Sequence, residues 1–149
     1  MKKTQKRIRI CTALLILNIA IIWGNSLLPG SISGAISGWV RDLLAGIFPS
    51  DSPKPDTGHG LIRKLAHFTE FSFLGALLTW LLAMAQKPKA LALPCGFLVA
   101  SVDETIQRFV PDRGPSIRDV CIDSCGVLTG IVLLYLGHTY YKTIWRKTK

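Results

Sequence analysis

Four apolar stretches determine what this chain can fold into. They are residues 10–28, 65–85, 90–102 and 120–141. The first, second and fourth contain the roughly 20 residues that a helix needs to cross a hydrocarbon core about 30 Å thick. The third is shorter, and it can span a membrane only if its helix continues through Asp103, Glu104 and Gln107. We therefore predict an all-α fold, an integral membrane four-helix bundle formed by one domain at residues 10–141.

The distribution of charge predicts the topology. Basic residues without any acid occupy three segments, with five in residues 1–9, two in 86–89 and four in 142–149. The positive-inside rule assigns such segments to the cytoplasm, so we expect the basic N-terminus 1–9 and the basic tail 142–149 to be cytoplasmic. The net charge of +9 then reflects topology and attraction to anionic lipids, and we expect no nucleic-acid partner. A cleaved signal peptide is the competing interpretation of the first stretch, but the stretch has no small-x-small cleavage site.

The loop after the first stretch is predicted to contain a short amphipathic helix. Apolar residues recur there at helical spacing from Ile32 to Phe48. The segment is too short to span and has a polar back, so we expect it to lie in the outer interface or over the bundle. The polar, turn-rich residues 49–60 that follow indicate a surface linker.

Polar side chains fall at a similar depth on three of the predicted helices. At 1.5 Å per residue from the basic segments, Glu70 lies about 26 Å outward, Asp103 about 21 Å and Asp123 about 29 Å. His67 shares a helix side with Glu70, and Gln107 shares one with Asp103. Charged groups within spans are functional-site hypotheses by default. The candidate functional or ligand-binding residues are Lys64, His67, Glu70, Asp103, Glu104, Gln107, Arg113, Ser116, Asp119 and Asp123.

A structural interpretation of these residues is a collar of ion pairs at the outer helix ends. In a collar, Arg108, Arg113 and Arg118 would pair with nearby carboxylates only to fix the fold. A collar does not require a histidine, a glutamine and this many carboxylates at one depth. We therefore favour a functional site and keep the collar as its alternative.

Two glycines in the fourth stretch, Gly126 and Gly130, form a GxxxG pattern. Small residues at this spacing let helix backbones approach closely. We expect the pattern to be used for packing inside the bundle, with a homo-oligomer through the same glycines as the alternative.

Several of these residues together resemble the VanZ family of small bacterial membrane proteins. The similarity covers roughly residues 20–135. Its motifs are Lys64-x-x-His67-Phe68-x-Glu70, Asp103-Glu104-x-x-Gln107-x-Phe109, Arg113, Ser116-x-x-Asp119, Gly126 with Gly130, and the serines Ser26, Ser31 and Ser37. Asp123 stands where the family commonly has asparagine, and Asp112 where a glycine often precedes the arginine. The resemblance implies a multi-pass protein of the bacterial cell membrane that is associated with lowered susceptibility to teicoplanin-like glycopeptides.

The leading hypothesis is a membrane factor that acts at the outer leaflet on a lipoglycopeptide, a cell-wall lipid precursor or a membrane lipid. An outward pocket with apolar walls and converging polar groups would suit such ligands. Arg113 and Lys64 would meet anionic groups, Arg113 through its planar fork. Membrane lipids are the expected partners, and no cofactor is expected.

Two other classes of function would use the same polar residues. An intramembrane enzyme would use a carboxylate or His67 as general base, and weak candidate metal ligands are Glu70, Asp103 and Glu104. No HExxH motif or nucleophile elbow supports this, so we expect a non-enzymatic role. A small ion-coupled transporter would use the acids as a relay, but four short spans make a thin conduit.

Overall fold

The computed structural model describes residues 2–47, 58–114 and 116–147, and these contain five α-helices joined by turns. The helices are α1 (Lys2–Ser26), α2 (Gly30–Ile47), α3 (Gly58–Met84), α4 (Ala92–Gln107) and α5 (Ile117–Lys147). A short 3₁₀ helix, Lys89–Leu91, precedes α4. These described residues contain no strand, so the all-α prediction is confirmed. Residues 48–57, which include Phe48 and most of the predicted linker, lie outside the described residues, whereas residues 58–60 already belong to α3.

Three of the described helices are long and apolar enough to cross a membrane. They are Lys2–Ser26, Gly60–Met84 and Ile117–Thr143. The chain is therefore a membrane protein with three candidate spans. The basic residues near both ends continue α1 and α5 as helix. Helix α4 runs through Asp103, Glu104 and Gln107, as spanning would require, but its 16 residues extend only about 24 Å.

The apolar side chains are arranged for a lipid environment. A small buried core lies between α1, α3, α4 and α5, and it consists of Ile22, Phe71, Leu74, Ala100 and Val127. Many other large apolar side chains are exposed on the outer faces of the same helices, among them Leu17, Phe73, Leu98 and Leu133. Contiguous exposed apolar surface of this extent indicates contact with a membrane or a partner. Lipid is the covering that the three candidate spans require.

The closest helix packing joins α3 to α5. A Cβ atom at Gly130 would overlap the Ser72 carbonyl of α3, and one at Gly75 would overlap the Val127 carbonyl of α5. Gly126 also lies against α3. The absence of side chains lets the two backbones touch. The GxxxG pattern is thus used for packing within the chain; a homo-oligomer through the same glycines stays a prediction.

A tight turn at residues 85–88 reverses the chain between α3 and the 3₁₀ helix that precedes α4. Gln86 adopts a φ of 55°, and its N–H donates to the Ala83 carbonyl at 3.3 Å. The Lys87 N–H donates to the Leu82 carbonyl at 2.9 Å, which completes a Schellman ending of α3. Because the connection is so short, the start of α3 and the end of α4 lie on the same side of the molecule.

The end of α1 and the start of α5 reach that same side. The Gly30 N–H donates to the Pro111 carbonyl at 3.1 Å, so the link between α1 and α2 contacts the loop between α4 and α5. A Cβ atom at Gly30 would overlap the Asp112 carbonyl, so the contact requires glycine. We call this side, formed by residues 25–30, 63–70, 103–114 and 116–123, the polar end.

Helix α2 occupies the loop in which an amphipathic helix was predicted. Its buried residues include Ser37 and Gly38, and it packs beside α3. Ile32, Ile36 and Trp39 are exposed instead. The side of α2 that carries small residues therefore faces the protein, and the side that carries large apolar residues faces away from it.

Candidate functional site

Asp103 lies at the centre of the polar end and is fully buried. Its Oδ2 accepts a hydrogen bond from Gln107 Nε2 at 2.9 Å and lies 3.8 Å from His67 Nδ1. Gln107 Nε2 also donates to Ser26 Oγ at 3.1 Å. These contacts bring α1, α3 and α4 together around one carboxylate. The other oxygen of Asp103, Oδ1, is buried without a hydrogen-bond partner among the described residues.

Glu104 contacts the start of α5. Its Oε2 accepts the Ser116 backbone N–H at 2.8 Å. Ser116 caps α5, since its Oγ accepts the Arg118 N–H at 3.2 Å. A carboxylate is favourable here because the amino end of a helix carries partial positive charge. Glu104 Oε1 is buried and, like Asp103 Oδ1, has no partner in the described part of the chain.

Lys64 and Asp119 form an ion pair at the rim of the polar end, with Lys64 Nζ 3.8 Å from Asp119 Oδ1. The Lys64 side chain is 45% exposed and that of Asp119 is 22% exposed. Exposed pairs contribute only about 0–1 kcal/mol to stability. The pair therefore places two opposite charges at the rim and contributes little to stability.

Glu70 and Arg113 are connected through Asn25. Asn25 Nδ2 donates to Glu70 Oε1 at 2.6 Å, and the Asn25 carbonyl accepts from Arg113 Nη2 at 3.0 Å. Arg113 Nε donates to the Leu28 carbonyl at 3.2 Å. Arg113 thus satisfies carbonyls at the carboxyl end of α1, where cations are favourable. We had expected this guanidinium to meet an anionic ligand; only its buried Nη1 lacks a partner within the described residues.

The charge of Arg113 is retained in this position. Burial lowers the pKa of its guanidinium, and the positive charge of Arg63 lowers it further, whereas Asp103 and Glu104 raise it. A guanidinium stays protonated in proteins under all ordinary conditions. Arg113 is therefore a fixed positive charge beside the buried carboxylates.

The arginine collar considered from the sequence is not formed. Across residues 2–47, 58–114 and 116–147, no ion pair joins Arg108, Arg113 or Arg118 to a carboxylate. At the polar end, Lys64 instead pairs with Asp119, and His67 Nδ1 lies 3.8 Å from Asp103 Oδ2. The buried carboxylates are held by amide and backbone donors.

Asp123 lies on the first turns of α5 and is 2% exposed. In the described part of the chain it makes no hydrogen bond or ion pair. One ligand atom from each of His67, Asp103 and Asp123 falls within 4.8 Å of the other two. Asp103 is therefore the only one of the three predicted metal candidates that belongs to this group; Glu70 and Glu104 do not.

The cavity at the polar end is small. Its volume of about 10 Å³ leaves room for about one water molecule. Its walls are Arg63, Lys64, His67, Glu104, Gln107, Asp119, Ile122 and Asp123. Among the described residues, this cavity is far smaller than the predicted outward pocket of ligand size. A cavity of about 990 Å³ lies between α3, α4 and α5 in the other half of the molecule, with Trp80, Leu93, Leu133 and the basic Lys89 in its walls.

The structure brings most of the predicted residues together, in two connected groups. Six of the ten line the small cavity, and Asp103 and Ser116 are bonded to members of that set. Glu70 and Arg113 form the second group with Asn25.

Three polar residues of this region were missed from the sequence: Asn18, Asn25 and Arg63. Asn18 Nδ2 donates to the Glu70 carbonyl at 3.4 Å, and Arg63 lines the cavity. Asn18 and Asn25 are seven residues apart on one side of an apolar helix. That spacing is a signal that the sequence did contain, because polar groups in a span face the bundle interior.

Comparison with known proteins gives one family. The model of the VanZ/LLP1 family matches residues 10–138, a range that includes all ten candidate residues. No curated protein and no solved structure matches the chain.

Proposed function

Because the chain belongs to the VanZ/LLP1 family, we propose that it acts at the outer leaflet of a bacterial cell membrane. There it lowers susceptibility to teicoplanin-like glycopeptides or handles a cell-wall or membrane lipid. The glycopeptide part of the proposal comes from the resemblance of the motifs. The site comes from the geometry of the polar end.

One observation carries the proposal: charged side chains at the polar end retain unpartnered, buried atoms. They are Glu70 Oε2, Asp103 Oδ1, Glu104 Oε1 and Arg113 Nη1 among the described residues. Buried polar groups in proteins are nearly always hydrogen-bonded, because leaving one unpaired costs about 1–3 kcal/mol. A cluster built only to fix helix ends would pair these atoms with one another. Three acceptors and one donor instead remain for a ligand, and one of them belongs to Glu104, which lines the small cavity.

The size of the site limits which part of a ligand it takes. A volume of about 10 Å³ admits only a group the size of a water molecule, such as a hydroxyl or a bound ion. The rest of a glycopeptide or a lipid would lie outside, with its tail in the bilayer. This arrangement suits a membrane-anchored ligand, because the bilayer already holds it at the depth of the site.

We further propose that α4 is the fourth transmembrane helix and that α2 lies in the outer interface. Helix α4 packs between α1, α3 and α5, and its polar residues all fall at its carboxyl end. Local thinning of the bilayer would accommodate its short length. The exposed Ile36 and Trp39 of α2 would face lipid, where tryptophan is favoured at the boundary.

With four spans, both chain ends are expected in the cytoplasm and the polar end outside. In a cysteine-free chain, a membrane-impermeant thiol reagent applied to intact cells should label Pro55→Cys and leave Thr148→Cys unlabelled. After the cells are opened, both positions should react. Labelling of position 148 but not 55 in intact cells would reverse the orientation, and labelling of both would contradict an even number of spans.

The proposed function is tested by expressing the chain in a susceptible Gram-positive host. We expect the inhibitory concentration of teicoplanin to rise and that of vancomycin, which lacks the lipid tail, to rise less. The amount of protein in the membrane is measured in the same cells. Unchanged sensitivity to teicoplanin at normal abundance would eliminate the glycopeptide part of the proposal.

A further inference from the structure

The grouping of His67, Asp103 and Asp123 has features beyond the unpartnered atoms on which the proposed function rests. Three helices, α3, α4 and α5, each contribute one residue, and the nearest ligand atoms lie within 4.8 Å of one another. The three residues are 36 and 20 positions apart in the sequence, so only the fold brings them together. We propose that these three side chains form a binding site for a divalent transition-metal ion.

The first argument is the burial of two neighbouring carboxyl groups. Asp103 is 0% exposed and Asp123 is 2% exposed. Asp123 has no hydrogen-bond or ion-pair partner in the described chain, and Asp103 Oδ1 is buried without one. Two adjacent carboxyl groups removed from water are costly to ionise unless a cation accompanies them. Arg113 lies beside these carboxylates, but its hydrogen bonds go to the carbonyls of Asn25 and Leu28, and no ion pair joins it to Asp103 or Asp123 in the described part of the chain.

The second argument is the chemistry and spacing of the donors. One imidazole nitrogen with two carboxylate oxygens is a ligand set that zinc and neighbouring divalent ions accept. Metal–ligand bonds of about 2.0–2.2 Å place tetrahedral ligands about 3.4 Å apart. The 3.8 Å between His67 Nδ1 and Asp103 Oδ2 is close to that value, and small rotations of the side chains would close the rest.

The third argument is the surroundings of the three ligands. Gln107 Nε2 donates to Asp103 Oδ2 and orients the carboxylate, as groups around metal ligands commonly do. The one-water cavity touches both His67 and Asp123. Three protein ligands with an open fourth position are typical of metal sites that bind a further ligand. A metal ion here would be the one that the intramembrane-enzyme alternative requires. Metal binding can be tested whether or not the chain affects glycopeptide susceptibility.

The experiment uses the full chain purified in detergent, freed of metal with a chelator and titrated with Zn²⁺ alone, then with Mn²⁺ alone. We expect about one ion per chain for at least one of the two metals, together with a rise in the unfolding temperature. Asp123→Asn keeps the size of the side chain and removes one ligand charge. The substitution should weaken metal binding at least about tenfold, since even the loss of a residue that hydrogen-bonds to a metal ligand typically has an effect of that size.

Asp112→Asn is the matched control, because Asp112 is an exposed carboxylate at the same end and outside the group. Its affinity for metal should equal that of the unmodified chain. Asp103→Asn and His67→Gln provide second variants if Asp123→Asn does not fold. Absence of binding by the unmodified chain would overturn the proposal. So would undiminished binding by the folded ligand variants, which would assign the ion to another site such as the exposed Cys121 and Cys125.

Discussion

Replacing Glu104 by glutamine should abolish most of the protection against teicoplanin while leaving the amount of protein in the membrane nearly unchanged. The glutamine carbonyl can still accept the Ser116 N–H, so the cap contact between α4 and α5 survives. The substitution removes the negative charge at the buried Oε1, the atom without a partner in the described chain. A hydrogen bond to a charged group contributes about 1.5–3 kcal/mol, which corresponds to roughly a ten- to hundredfold change in binding.

Two further variants separate function from folding in this test. Asp112→Asn makes the same chemical change on an exposed residue of the same end and should retain protection. Glu104→Ala also removes the acceptor of the Ser116 N–H and should lower abundance together with protection. If Glu104→Gln lowered abundance as much as Glu104→Ala does, the charge would have a structural role. Full protection with Glu104→Gln at normal abundance would show that the charge of Glu104 is not needed for function.

Replacing Gly130 by alanine should destabilise the chain strongly, because the new Cβ atom would overlap the Ser72 carbonyl. The obstacle is backbone, so no side-chain rotation relieves it, and α3 and α5 must separate. Overpacking of this kind typically costs about 1–3 kcal/mol. For a chain of this length we expect a fall of about 5–10 °C in the unfolding temperature in detergent.

Gly137→Ala is the control on the same helix, since a Cβ atom at Gly137 would meet nothing within 4 Å. It should be neutral or raise the unfolding temperature slightly, because alanine favours helix over glycine. Equal stability of the two variants would contradict close packing at Gly130. A change of oligomeric state by Gly130→Ala, with unchanged stability of the single chain, would support the homo-oligomer alternative.

Much of the fold follows from local features of the sequence. The apolar stretches around residues 10–28, 65–85 and 120–141 are long enough to span, and three helices of that kind are observed. The turn after α3 is equally local, because Pro88 and the adjacent polar residues end the helix at once. The shared level of the polar residues along their helices was also predictable, since a fixed rise per residue converts position along a helix into distance.

The partners of each polar side chain were not predictable in the same way. From the sequence, Arg113 was expected to meet an anion, and the structure instead gives it the carbonyls of Asn25 and Leu28. Those carbonyls belong to the end of α1, some 85 residues away in the chain. The size of the cavity at the polar end also depends on side-chain packing, and it proved far smaller than expected.

The sequence by itself determined that the chain is helical, that it enters a membrane and that its polar residues occur at one level, because hydrophobicity and helical rise act locally. Only the tertiary structure decided which of these residues meet. The close approach of α3 and α5 at Gly75 and Gly130, and the position of α4 beside them, bring His67, Asp103 and Asp123 within 4.8 Å. The physical reason is that rotation of a helix about its axis, and hence the direction of each side chain, is set by the neighbours against which it packs.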